Sequence, residues 1–420
     1  LSRTLGCFQI SGWPVKKVIV QDIQRTIEDD QVMLSARVDI QGWKIPDRPD
    51  PPERIFLQFP RPFENMIAQN GDAFVACFLM QCMAGGSDLH IEAPVSRTLL
   101  DNLHAMQEIW HSWDSKAYKR IAISADSVDT PDLHPDKTAA LYSLGVDSFY
   151  TLAKNRKIPP ACGAPEAPPI DYLIHLRGFE HRLGEDKTDH EQIMDLISQV
   201  SNRTDCVPIF GRTNFREFNS LSWGVGHGGA AAAVGLALGA SLKTVLIASN
   251  NSYVQLGTEA GTHPLIDPLW STQTTRFVHD GAERSRQAKV EALVEHMPES
   301  LQFLHVCWNN TDARLNCGYC IKCMDTMLTL DVLGKLGQAI TFPDQLPENF
   351  IRNMLTFPRV GVTSLRINLR MAEERNGHRY SRVLERVARA RRKDQYLAEM
   401  YPRWDRLTRR WRNLWRRIWY

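Results

Sequence analysis

Apolar and polar positions along this chain change rhythm from one stretch to the next, and each rhythm predicts a different element. Residues 18–20, 32–40 and 55–59 are rich in β-branched and aromatic side chains bounded by Pro, Gly and Asp, which predicts strands. Residues 73–83 and 97–113 repeat at helical spacing, the second through Leu99, Leu100, Leu103, Met106, Ile109 and Trp110. The stretch 126–137, with its Pro and Asp residues, reads as a linker.

Beyond it, short apolar runs at 138–142, 172–176, 206–210, 244–248 and 303–306 read as strands. Helical patterns at 149–154, 188–200, 229–240 and 284–296 lie between them. Strands separated by helices of this length imply parallel pairing through right-handed crossovers, with ligands at the carboxyl ends of the strands. After Phe342 the pattern becomes helical, and Trp404, Leu407, Trp411, Leu414 and Ile418 mark one face of an amphipathic helix. The expectation is an α/β protein in three parts. These are an N-terminal α+β domain over 1–128, a parallel-sheet domain over 129–345 and a helical Arg/Trp-rich extension over 346–420.

Length agrees, since 420 residues exceed a single ordinary core. Charge adds an asymmetry. The formal net charge is +2, but residues 379–420 hold fourteen Lys/Arg against four Asp/Glu, leaving about −8 for everything before them. Arginines interleaved with tryptophans suit nucleic acid, a membrane surface, or a protein surface that takes the Trp and Leu face. Packing on the chain itself or on a partner is the first reading. The longest apolar stretch, 230–248, is broken by Ser241 and Lys243 and reads as a helix followed by a strand, so no membrane span is expected. The sequence opens without a basic segment followed by an apolar one, and its nine cysteines then fit reduced thiols and a metal in the cytoplasm.

Two segments carry candidate chemistry. Ser143, Leu144, Gly145, Val146, Asp147 and Ser148 follow a predicted strand and open a predicted helix. Backbone N–H groups there, with the two serine hydroxyls, suit a phosphate chain, and Asp147 is then placed to hold Mg²⁺. The plain alternative is a strand–turn–helix junction with a serine cap. Cys307, Cys317, Cys320 and Cys323 suit a closed tetrahedral Zn²⁺ site. Buried reduced cysteines, or a three-cysteine iron–sulfur cluster with Cys307 apart, are the alternatives.

Weaker signals surround these. Thr213 and Asn214 either line a pocket or cap a turn. Residues 224–229 spell G-x-G-x-x-G but lack a strand before them and an acid near Asn250, so the glycines serve close helix packing. Asp267 either holds substrate or metal with His263 acting near it, or both belong to a rigid loop set by two prolines. Arg284, Arg286 and Lys289 share one helix, where a cation reaches phosphate or stays solvated.

The 143–148 segment resembles the Ser-Gly-Gly-x-Asp-Ser loop of the PP-loop ATP pyrophosphatases, with Leu144 in place of the glycine at the second position. A Cys, nine residues and then Cys-Gly-x-Cys-x-x-Cys resembles the zinc motif of the 7-cyano-7-deazaguanine synthases, the QueC-like group of that family. The order of loop, small-residue helix, Lys289 and cysteines agrees, and the likeness covers about 137–330. It implies a HUP-like parallel sheet and cleavage of ATP to AMP and pyrophosphate, with Mg²⁺ on Asp147. It also implies a purine-like small-molecule substrate, adenylated on a carboxylate or amide oxygen and then attacked by ammonia or a protein amine. Lys289 joins Asp147 as a catalytic residue, Thr213 and Asn214 join the loop around the nucleotide, and a structural zinc sits beside the substrate pocket. Longer QueC-like proteins occur in anti-phage operons, which implies a protein partner or protein substrate. A thiolating PP-loop enzyme acting on tRNA or a small molecule, and an inactive scaffold disabled by Leu144, are the rival expectations.

Overall fold

The computed structural model describes residues 16–41, 51–129, 134–159, 169–179, 181–184, 190–257, 260–309, 315–355 and 358–375. The chain divides into two compact units, Leu1–His305 and Val306–Tyr420. The basic stripe expected over 379–420 lies outside the described residues.

The first unit is built on one ten-stranded sheet. Strands β1 (Lys17–Glu28), β2 (Gln31–Gln41) and β3 (Arg54–Pro60) pair antiparallel, and β1 pairs parallel with β4 (Asp88–Ser96), which pairs parallel with β5 (Ile123–Asp129). The other half comprises β6 (Lys137–Leu141), β7 (Tyr172–Arg177), β8 (Val207–Thr213), β9 (Leu242–Ala248) and β10 (Arg276–Asp280). These five are all parallel, in the order β10-β9-β6-β7-β8. An antiparallel pairing of β3 with β8 joins the halves, so residues before and after the expected 128 boundary share one sheet.

Helices α1 (Asp72–Gly85) and α2 (Arg97–Trp113) belong to the first half. Helices α3 (Val146–Lys154), α4 (His190–Thr204), the short α5 (Phe215–Phe218), α6 (Trp223–Ala237) and α7 (Arg286–His296) belong to the second. Helix α1 is buried along nearly its whole length because it packs on α6, a helix of alanine and glycine that is also buried. The glycine run does what its spacing suggests. A Cβ on Gly228 would lie 1.7 Å from the Gly261 carbonyl oxygen, and one on Gly229 would lie 2.4 Å from that of Ala76 in α1. Only glycine lets the backbones approach that closely.

Two expectations need correction. Residues 303–306 form no strand: they follow a 3₁₀ turn over Pro298–Gln302, and the His305 N–H donates to the Leu144 carbonyl (2.9 Å) instead of joining a ladder. The stretch 126–129, read as linker, continues β5 along β4, with Val128 opposite Val95.

In the second unit, α8 (Ile321–Val332), α9 (Phe350–Leu355) and α10 (Pro358–Glu374) enclose a small core of Ile321, Met324, Leu328, Met354, Leu365 and Leu369. Among the described residues no helix is long and apolar enough to cross a membrane.

Candidate functional site

The 143–148 loop begins where β6 ends at the carboxyl edge of the parallel half. The Tyr142 N–H still donates to Ile174 O of β7 (2.8 Å), and the chain then turns sharply at Leu144. Leu144 has φ 60°, in the left-handed region, and its side chain is fully buried. The other non-glycine residues with positive φ among those described are all aspartates, which tolerate that region better than a branched apolar residue. The conformation costs Leu144 roughly 1–2 kcal/mol, which burial of its side chain offsets.

After the turn, Gly145 is extended and caps α3. Its carbonyl accepts from the Phe149 N–H (2.9 Å) and the Ser148 hydroxyl (3.0 Å), and the Ser143 N–H donates to Ser148 Oγ (3.4 Å). Ser148 is therefore spent inside the loop, while Ser143 is exposed. A Cβ on Gly145 would lie 3.2 Å from Ser143 Oγ, crowding the space inside the turn.

Asp147 lies in the first turn of α3, where a negative charge is favoured by the helix dipole. Two cations from α7 meet its two oxygens. Lys289 Nζ donates to Oδ1 at 3.0 Å and Arg286 Nη1 to Oδ2 at 2.8 Å. The two bases lie three residues apart and so project from the same face of the helix. The side chain of Lys289 is only 1% exposed, against 17% for Arg286 and 18% for Asp147. Lys289 Nζ also donates to the Ser249 carbonyl just past β9, and it lies 5.8 Å from the centroid of the Tyr150 ring. A buried ammonium with a carboxylate, a carbonyl and an aromatic face around it is well compensated.

A second cluster lies on the next turn of α3, and sequence reasoning missed it. Lys154 Nζ meets Asp280 Oδ1 (2.8 Å) and Glu283 Oε1 (3.1 Å), and the Tyr150 hydroxyl donates to Glu283 Oε1 (2.8 Å). Burial works against the charge on Lys154, yet Asp280 and then Glu283 raise its pKa above the ordinary lysine value. Burial also pushes the Tyr150 phenol up, and the bond to Glu283 adds to that. Helical spacing of Tyr150 with Lys154 was a usable signal, but Asp280 ends and Glu283 follows β10, a strand that the apolar pattern did not reveal.

Thr213 and Asn214 serve the seam between β8 and β3. Thr213 Oγ1 donates to Phe56 O (2.6 Å) and accepts from the Phe215 N–H (3.1 Å). Asn214 Oδ1 accepts from the Phe56 N–H (2.9 Å) and its amide donates to Arg54 O (2.8 Å). Both residues are buried, and these bonds account for why a polar pair stands at the end of β8.

His263 and Asp267 come together around His279 of β10. Asp267 Oδ2 lies 2.6 Å from His279 Nδ1, and Oδ1 accepts from the His263 N–H (3.1 Å). Burial raises the Asp267 carboxyl pKa, and burial followed by the nearby His279 lowers that of the His263 imidazole.

The four cysteines of the second unit converge. Cys307, Cys317, Cys320 and Cys323 are all buried, and their sulfurs lie within 4.8 Å of one another. Cys307 joins the other three, as a four-ligand site requires. Four thiolates at about 2.3 Å from one tetrahedral ion would stand about 3.8 Å apart, and Cys317 Sγ lies 3.9 Å from Cys323 Sγ. That separation is far too long for a disulfide. The N–H groups of Cys320 and Cys323 donate to the sulfurs of Cys317 (3.3 Å) and Cys320 (3.5 Å), and Gly318 takes φ 81° to make the bend. Hydrogen bonds from Cys317, Cys320 and Cys323 hold the Cys307 thiol far below its usual pKa, while Cys307 and its neighbours push that of Cys323 far up. Thiolates at Cys307 and Cys317 are thus favoured over those at Cys320 and Cys323. Four of them need a cation, and the cluster can hold a metal ion such as zinc.

No family model matches the chain, and no curated protein or solved structure matches it.

Proposed function

We propose that this chain is a PP-loop enzyme of the QueC-like kind, which splits ATP into AMP and pyrophosphate at the 143–148 loop and joins a deazaguanine-like acid or amide to an amine. The observation that carries the reading is the backbone of Leu144. It takes a left-handed turn, the conformation glycine adopts most readily, at the position where the PP-loop pattern has glycine, and this supports the reading. Retained strain of this kind points toward a working site rather than an idle scaffold.

The chemistry of the neighbouring side chains supports the same reading. Phosphates placed against the start of α3 would meet its backbone N–H groups, the Ser143 hydroxyl and the cations on α7. One carboxylate beside phosphates is the donor set that Mg²⁺ uses, and Asp147 fits it. When bound, the ion would shield the charge that develops on departing pyrophosphate. Lys289, held at one place by Asp147 and the Ser249 carbonyl, would stabilise the same charge without moving. A carboxylate oxygen of the substrate would attack the α-phosphorus as the bond to pyrophosphate breaks. An amine would then displace AMP from the acyl carbon and lose a proton. Zinc in the four-cysteine cluster would be structural, since no ligand position stays open once four thiolates bind.

The test is product analysis with α-labelled ATP, Mg²⁺, zinc-loaded full-length protein and a panel of deazaguanine acids, with and without ammonia. AMP and pyrophosphate in equal amounts, abolished by Asp147→Ala, are expected. ADP and phosphate, or no turnover with ATP bound and zinc retained, would refute the reading.

A further inference from the structure

Asp147 already has a cation on each oxygen, and that constrains how a ligand enters. A divalent ion approaching Asp147 in the proposed site therefore meets a positive charge on each oxygen, and its binding is favoured when one cation withdraws. The two differ in how firmly they are held. Lys289 is buried, donates to both Asp147 Oδ1 and the Ser249 carbonyl, and lies over the face of Tyr150. Withdrawing it would strand an ammonium in a dry interior. Arg286 reaches Oδ2 from the first residue of α7 with its side chain 17% exposed, and a guanidinium fork matches phosphate oxygens as well as it matches a carboxylate.

Charge counts point the same way. Asp147, Lys289 and Arg286 together carry one positive charge, and the adjoining Lys154, Arg284, Asp280 and Glu283 sum to zero. A divalent cation arriving alone meets net repulsion, whereas a triphosphate arriving alone is attracted.

We infer that Arg286 is the exchangeable member of this site: it neutralises Asp147 while no nucleotide is bound and passes to the triphosphate, opening one carboxylate oxygen to the metal. This rests on the ATP reading above and adds to it an order of events, nucleotide before or together with metal. Arg286 is in this respect a binding residue that couples two ligands, and Lys289 is the fixed one. Coupling of this kind is reciprocal, so metal and nucleotide each tighten the other by the same factor.

The experiment uses full-length, zinc-loaded protein, with Mn²⁺ as the metal probe read by electron paramagnetic resonance and α,β-methylene-ATP as the nucleotide. Without nucleotide, Arg286→Gln is expected to bind Mn²⁺ roughly five- to tenfold more tightly than wild type, in the ordinary range of coupling between sites. Arg286→Lys, which keeps the charge, is expected to stay close to wild type. In the absence of metal, Arg286→Gln is expected to bind the analogue more weakly. Because Arg286→Lys keeps the charge, a gain seen in Arg286→Gln and absent from Arg286→Lys separates this role from a structural one. Equal Mn²⁺ affinity of wild type and Arg286→Gln, with the analogue still bound by wild type, would overturn the inference alone. Failure of wild type to bind the analogue at all would overturn the ATP reading and this inference with it.

Discussion

The four-cysteine cluster and the Asp147 cluster both concentrate ionisable groups, but they reach neutrality in opposite ways. The cysteines are donors of one kind, and their mutual effects favour thiolates at Cys307 and Cys317 and disfavour them at Cys320 and Cys323. Four thiolates there together call for a cation from outside. Asp147, Lys289 and Arg286 instead complete one another from the sequence itself, at 3.0 and 2.8 Å, so this site is ordered before any ligand arrives. The difference teaches what each can do. A cluster that needs its ion contributes to folding, whereas a cluster that is already satisfied must exchange partners to bind anything.

The largest expected effect falls on the first cluster. Structural zinc in small modules is worth about 10–16 kcal/mol of apparent binding, so Cys323→Ser is expected to lose the metal and destabilise the second unit by several kcal/mol. Metal analysis and thermal unfolding of variant and wild type check this, and a fully folded variant without metal would break the comparison. Next comes Lys289→Met, expected to cost about 3 kcal/mol because it strips one partner from a mostly buried carboxylate that Arg286 still faces. Adding Asp147→Asn should then cost less than it does alone, with a coupling of about 1 kcal/mol or more in a denaturant-based double-mutant cycle. Strict additivity would mean that the pair is not a unit.

How much of this was legible depends on whether the cause is local. The parallel half could be read because its buried strands are short apolar runs divided by helical patterns, and α2 shows its stripe openly. Strand β10 could not, because Phe277 faces Gly235 in α6 while His279 and Asp280 supply polar partners to clusters that only the fold assembles. The joining of the two halves was hidden for the same reason. Within the sheet it rests on two residue pairs between β3 and β8 and on the Thr213 and Asn214 side chains, which bond to Phe56 and Arg54 more than 150 residues away. The cysteines announced themselves by spacing. The grip of Arg286 and Lys289 on Asp147, spanning 139 and 142 residues, did not, although the sequence showed all three as candidates.

A smaller difference, between two replacements of one residue, concerns the loop. Leu144→Ala removes a buried side chain and keeps the left-handed strain, at an expected cost of about 2–5 kcal/mol. Leu144→Gly loses as much packing but sheds the strain, and should be more stable than the alanine variant by roughly 1 kcal/mol. This reverses the order found where φ is negative. Urea midpoints decide it, and alanine matching or exceeding glycine would show that the turn is not held in that region.

The smallest expected effect concerns His263, a buried neutral group rather than a paired charge. Its folded pKa is depressed below 6.5, so its contribution to stability is present above that value and lost as pH falls through the folded value. Asp267, raised above 3.8 by burial, contributes the opposite slope at pH above that value. Between about pH 7.5 and about pH 5.5, replacing His263 with Asn should remove a slope of at most about 1.4 kcal/mol per pH unit. An unchanged pH profile in chemical denaturation would show that the imidazole does not titrate against folding.

The central claim is that the 143–148 loop grips a triphosphate. Hydrogen–deuterium exchange of the full-length, zinc-loaded protein with and without saturating ATP and Mg²⁺ tests it most directly. The account expects slower exchange at the amides from Ser143 to Phe149, weakened in Lys289→Met. Unchanged exchange in that loop, with protection appearing elsewhere or nowhere, would contradict it.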